Sequence, residues 1–134
     1  MLDVVIDMRS VDSLIPYARN ARTHSDAQVA QIAASIREFG WTNPILVDGE
    51  SGIIAGHGRL LAARKLSLSE VPCIELSGLS ETQKRAYMLA ANKLAVHAGW
   101  DDEKLRLDLG ELAAMAFDTL LTGFPGEGML GLTD

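Results

Sequence analysis

Four consecutive residues, Gly56-His57-Gly58-Arg59, combine the residue types that hold an anion. They follow the apolar run Ile53-Ile54-Ala55 and precede Leu60-Leu61-Ala62-Ala63-Arg64-Lys65-Leu66, which reads as a helix. Glycine lets the backbone turn tightly and approach a ligand closely. The first turn of a helix exposes unpaired N–H groups and a partial positive charge. A guanidinium in that turn adds a planar set of donors, and an imidazole adds one more N–H. Phosphate fits such a place. The segment is neither a Walker A loop, since no Gly-Lys-Ser/Thr follows, nor a dinucleotide fingerprint. Two glycines after a strand also make a plain turn, so the pattern alone leaves both readings open.

Other chemistries find less support. Cys73 is the single cysteine among 134 residues, so disulfide frameworks and cysteine-based zinc sites are excluded. It lies in the strand-like run Val71-Pro72-Cys73-Ile74-Glu75-Leu76 and reads as a small buried hydrophobe. His24, His57 and His97 contain no i,i+4 pair for a helical metal site, and His24 and His97 read as surface or hydrogen-bonded residues. Acids do not cluster as two-metal cleavage needs. Trp41 and Trp100 read as core or staple residues rather than base-stacking platforms.

Charge narrows the partners. Residues 1–65 hold seven Lys/Arg and seven Asp/Glu, whereas 66–134 hold five against eleven, so the net −6 sits in the second half. That is not the broad basic footprint of a domain that grips duplex DNA by itself. The local surplus of arginine in the first half, including Arg19, Arg22 and Arg59, still allows an anion site. With 48% apolar and 22% charged residues the chain is globular, and its apolar runs fall far short of the ~20 residues that span a bilayer. The N-terminus, acidic within its apolar run, does not read as a signal peptide. A cytoplasmic protein without membrane contact is expected.

The positioning elements follow from local signals. Val4-Val5-Ile6 predicts a strand. Ser25-Asp26-Ala27-Gln28 has the form of a capping box, and Val29, Ile32, Ala33 and Ile36 continue one helical stripe to a stop at Gly40. Ile45-Leu46-Val47 and Ile53-Ile54-Ala55, separated by Asp48-Gly49-Glu50-Ser51-Gly52, predict a β-hairpin. Pro72 places the next strand at its start or at an edge. Ser80-Glu81-Thr82-Gln83 opens a helix through about Val96, ended by Gly99; Asp101 caps another carrying Leu105, Leu107, Leu109, Leu112 and Met115. Tyr87, Met88, Leu89, Leu94 and Val96 surround the first of these helices more than one stripe needs, which points to burial on several sides and to a homodimer through the helical portion. The expected division is an α/β layer over 1–78, a helical extension over 79–121 and a loose glycine-rich tail over 122–134.

Ile53-Ile54-Ala55-Gly56-His57-Gly58-Arg59-Leu60-Leu61-Ala62-Ala63, followed by Val71-Pro72, resembles the central motif of ParB-like N-terminal domains. Tyr17-Ala18-Arg19-Asn20-Ala21-Arg22 is similar to that family's upstream Asn-Pro-Arg segment, with Ala21 in the proline's place. Gly40-Trp41-Thr42-Asn43-Pro44-Ile45 is similar to its Gly-x-x-Gln-Pro-Ile element, with Asn43 for glutamine. The likeness covers roughly residues 3–100 and is strongest to a subgroup of phage and mobile-element proteins, where such a domain stands alone or is fused to a DNA methyltransferase. Tyr87 to Ala95 and Gly99-Trp100-Asp101 resemble that subgroup's helical segment.

The resemblance implies an α+β fold of the ParB/sulfiredoxin kind, a small mixed sheet with packed helices followed by a helical C-terminal portion. It implies a nucleotide module, with CTP or ATP as ligand and Mg2+ as companion, acting beside DNA modification or segregation and reaching DNA through a fused or partner domain. By position, Gly56, His57, Gly58 and Arg59 would cradle the triphosphate, Arg22 would add a second cation, and Asn20 and Asn43 would lie at the site. The family's label also admits a nuclease or nucleotide hydrolase. A magnesium-holding acid followed by asparagine reads here as Ala91-Asn92, leaving Asn92 as a weak ligand and hydrolysis impaired or absent unless Glu81 or Asp101 replaces the acid. The sulfiredoxin cysteine corresponds to His57, and the acid of a related free-serine kinase to Ala55, so neither chemistry is expected.

Overall fold

A computed structural model describes residues 4–18, 23–97 and 99–124, with the backbone alone at 94–97. The strands are β1 (Ile6–Ser10), β2 (Ile45–Val47), β3 (Ile53–Ala55) and β4 (Glu70–Glu75). The helices are α1 (Asp26–Phe39), α2 (His57–Lys65), α3 (Glu81–His97) and α4 (Asp102–Ala114), with short 3-10 turns at Val11–Ser13 and Thr119–Thr122. This is the α+β class expected, built on a four-stranded mixed sheet of order β1-β4-β2-β3. β4 runs antiparallel to β1 and parallel to β2, and β2 and β3 form the hairpin.

Caps set the helix starts. Ser25 Oγ accepts from the Gln28 N–H at 3.1 Å, and Gly40, at φ +84°, returns its N–H to Ile36 at 2.8 Å. The Gln28 side chain does not close the box; its Oε1 lies 3.0 Å from His24 Nδ1 instead. At α3 the box is reciprocal, with Gln83 N–H on Ser80 Oγ at 3.1 Å and Ser80 N–H on Gln83 Oε1 at 2.9 Å. Asp101 caps α4 through the Lys104 N–H at 3.1 Å.

The core lies between one face of the sheet and α2. Ile45, Val47, Ile53, Val71 and Cys73 alternate inward from the strands and meet Leu60 and Ala63 of α2, with Val11 and Leu14 closing one end and Trp41 packed against the cluster. Fully burying each large aliphatic side chain is worth about 1.5–3 kcal/mol. Cys73 is wholly buried among them.

Three expectations are corrected. The first strand begins at Ile6 and runs to Ser10, because pairing with β4 starts at Ile6↔Ile74 and leaves Val4 and Val5 exposed. β4 is an interior strand: Pro72 faces Met8 and comes one residue before β2 begins to pair, at Ile45↔Cys73, so its missing N–H breaks no bond of the parallel ladder. Trp100, expected in the core or as a staple, is 68% exposed and meets Phe124 edge to face at 4.8 Å, so the core alternative falls.

The chain divides into two compact units, 1–95 and 96–134. The site described below lies within the first. No helix among the described residues is long and apolar enough to cross a membrane.

Candidate functional site

A cavity of about 330 Å³ opens where β3 turns into α2. Gly56, His57, Gly58 and Arg59 line one wall, with Ile54 and Ala55 before them. His24, Gln28 and Ile32 line a second wall from α1 and its entry, and Met88, Ala91 and Asn92 a third from α3. None of these side chains is acidic, although the chain carries −6 overall.

The turn depends on its two glycines. Gly56 caps α2 at φ +111°, a left-handed conformation, and brings no capping side chain. A Cβ there would lie 3.0 Å from Arg59 Nη2 and 3.1 Å from Ile45 Cγ1. Gly58 is buried, and a Cβ on it would lie 2.9 Å from His24 Cε1 and 3.0 Å from the Ile32 side chain. Glycine at 58 therefore lets α1 close on α2 and carries His24 to the cavity wall.

Arg59 folds back beneath the turn. Its Nη2 donates to the Pro44 carbonyl at 3.1 Å, linking the start of β2 to α2. Its Nε is buried without a partner, and no carboxylate pairs with the guanidinium among the described residues. Burial lowers its pKa. A desolvated cation without a counter-ion is costly, and an anion in the cavity would offset that cost.

His57 accepts a hydrogen bond at Nε2 from the Tyr17 N–H, at 3.1 Å. The acceptor role assigns the proton of the neutral ring to Nδ1. Burial, and then the nearby His24, push the pKa of His57 below the usual 6.5. The imidazole enters as a neutral N–H donor rather than a cation.

Of the residues singled out from sequence, Gly56, His57, Gly58, Arg59 and Asn92 come together at this cavity. Asn43 is exposed and its carbonyl accepts from Trp41 Nε1 at 2.7 Å; it is not among the lining residues. Asn20 and Arg22 lie outside the described residues, as does the side chain of His97. The sequence reading missed His24, Gln28, Ile32 and Met88 as lining groups. Spacing held part of the signal, since 28 and 32 lie at i, i+4 on α1 and 88, 91 and 92 at i, i+3, i+4 on α3, whereas His24 precedes the α1 cap and has no such mark.

Magnesium prefers charged oxygen ligands. Among the described lining residues, the amides of Gln28 and Asn92 are the side-chain oxygen donors, none is a carboxylate, and Ala91 supplies no side-chain oxygen. These residues do not fit a magnesium ion held by protein side chains. Among the described residues no group of three or more His, Cys, Asp or Glu could hold a metal ion.

This fold recurs in known proteins. The model of the ParB N-terminal domain family matches residues 5–93. The chain belongs to the ParB N-terminal domain family. The ParB-like nuclease domain-containing protein YnaK of Escherichia coli (strain K12) is 57% identical over 77 residues, which cover 58% of this chain and 88% of that protein. Among solved structures, C-terminally truncated ParB of Caulobacter crescentus complexed with CTP-gamma-S superposes with a TM-score of 0.69 at 24% identity, over 81% of this chain and 62% of that one. The same protein complexed to the centromeric parS site gives 0.56 at 21% identity, over 79% and 56%. Sulfiredoxin from Arabidopsis thaliana gives 0.53 at 24% identity, over 63% of this chain and 97% of that one. At these identities the structural likeness establishes the fold. The chain spans less than two thirds of either ParB chain.

Proposed function

We propose that this chain is a nucleotide-binding module in which the Gly56–Arg59 turn and the first turn of α2 hold the phosphates of CTP or ATP. The observation that carries the reading is Arg59, a part-buried cation that has no acidic partner among the described residues, at the wall of a cavity whose described lining carries no acid. The open N–H groups of the helix start and the His57 Nδ1–H add donors that suit phosphate oxygens. Arg22 and Asn20 are the further phosphate ligands of this proposal. The Caulobacter relative complexed with a CTP analogue supports the choice of ligand class. Phosphate charge would be met by guanidinium and helix rather than by a metal held on side chains.

The module would act beside DNA modification or segregation in the cytoplasm. With a net −6, it would reach DNA through a fused or partner domain. A nuclease reading takes its support from the name of the Escherichia coli relative, but the described residues gather no acidic cluster for metal-assisted cleavage.

Calorimetric titration with CTP, ATP and their diphosphates tests the proposal. Binding to the wild-type protein, weakened by more than about tenfold in Arg59→Ala, is expected from the loss of charge-assisted hydrogen bonds. No binding at millimolar nucleotide would end it. Magnesium-dependent plasmid cutting that Arg59→Ala abolishes would replace it with the nuclease reading.

A further inference from the structure

β1 is the outermost strand of the sheet, and the pairing with β4 fixes which of its backbone groups are free. Val11 donates to the Ser69 carbonyl at 3.0 Å, continuing the register Asp7↔Cys73 and Arg9↔Val71. Odd-numbered residues therefore exchange the ladder bonds, and Pro72, opposite Met8, has no N–H to give. The N–H and C=O groups of Ile6 and Met8 point away from β4, toward the open edge. Their side chains share the sheet face of Pro72 and Ile74, the face opposite the core, where Ile6 is 58% and Met8 57% exposed. Natural edge strands are usually shielded from pairing. Among the described residues nothing pairs with the outer edge of this one, and it presents open ladder groups and adjacent apolar side chains together.

We propose that β1 pairs, antiparallel and about a two-fold axis at Met8, with β1 of a second copy of this chain. Charge selects that register. A two-fold axis near the middle of β1 (Ile6–Ser10), where most of the strand pairs, falls at residue 7, 8 or 9. An axis at 7 sets Asp7 opposite the partner's Asp7, and an axis at 9 sets Arg9 opposite the partner's Arg9; like charges directly opposed are destabilising. Only the axis at Met8 sets Asp7 opposite the partner's Arg9, twice, in the closer non-hydrogen-bonded positions. Asp7 is free to turn, its side chain being 61% exposed. Arg9 already holds Glu75 at 2.9 Å and Asp7 at 3.4 Å, and its fork has donors to spare. Met8 bonds the partner's Met8 through both backbone groups, and the apolar faces of the two sheets become continuous. The contact is small, so the association is weak and reversible. It involves none of the residues that line the cavity at the glycine turn.

Sedimentation equilibrium over a range of concentrations tests this. A dimer whose population rises with concentration, with or without nucleotide, is expected. Met8→Lys or Asp7→Lys, at exposed positions that leave the melting temperature unchanged, should raise its dissociation constant at least about tenfold. In addition, Met8→Cys should form a disulfide-linked dimer on mild oxidation, because hydrogen-bonded antiparallel partners sit about 5.5 Å apart at Cα, within disulfide reach. Ile15→Cys, exposed elsewhere, should remain uncrosslinked. A monomer at every concentration overturns the proposal. So does a dimer that Met8→Lys leaves intact while Leu89→Lys dissolves it, or equal crosslinking of the two cysteine variants.

Discussion

The main-chain N–H of Tyr17 donates to Nε2 of His57 across 3.1 Å, tying the segment before α1 to the glycine turn. The bond requires an unprotonated Nε2, so the contact exists only with a neutral ring.

That gives a pH dependence with a definite sign. Burial and His24 depress the folded pKa of His57 below 6.5, so the unfolded chain takes up this proton more readily. The stability contributed by the neutral ring is complete above the unfolded value and is lost as pH falls from 6.5 through the depressed folded value. An NMR titration should place the His57 midpoint below 6.5, with the proton on Nδ1 in the neutral form. A midpoint at or above that value would contradict the contact.

The glycines of the turn should resist substitution for different reasons. Gly56→Ala forces a Cβ into the left-handed region at φ +111° and against Arg59 and Ile45, at a cost of about 1–3 kcal/mol in denaturant unfolding. Gly58→Ala is a packing fault against His24 and Ile32, with a cost of about 1–3 kcal/mol and a displaced α1 entry. Wild-type stability in both variants would show that the turn is looser than described.

Acid should weaken the link between the hairpin and α3. Lys84 Nζ lies 3.0 Å from Asp48 Oδ2 and from Glu81 Oε2, while Asp48 Oδ1 accepts the N–H groups of Glu50 at 2.8 Å and Gly52 at 2.9 Å. Burial alone would raise the Asp48 pKa, but the Lys84 bond and the two backbone donors outweigh it and lower it below 3.8. Its stabilisation is therefore complete above 3.8 and fades as pH falls through the lowered value. Urea unfolding between about pH 5 and 2 should show a shallower loss for Asp48→Asn than for the wild type, which starts from higher stability.

Much of this frame is legible in local sequence because local chemistry determines it. Ser25, Gly40, Ser80 and Asp101 mark helix boundaries that depend on caps, and the hairpin follows from two apolar runs around a polar turn. What depends on partners distant in sequence is not legible. β1 takes its bounds from β4, sixty or more residues away, and Pro72 is tolerated inside the sheet because of where β2 begins. At the site, Gly56 to Arg59 are legible as a glycine turn between a strand and a helix, whereas His24 and Gln28 gain their places only when Gly58 lets α1 approach. The Arg59 bond to Pro44 joins two segments with no local signal between them.

The most direct measurement is a ¹H–¹⁵N NMR titration of the labelled protein with CTP and ATP. Phosphate at the start of α2 should shift the amides of His57, Gly58 and Arg59 first and furthest, with Arg59→Ala abolishing the shifts at the same nucleotide concentration. If those three amides stay in place while nucleotide is present in millimolar excess, or if the largest shifts fall in α4, the cavity is not a phosphate site.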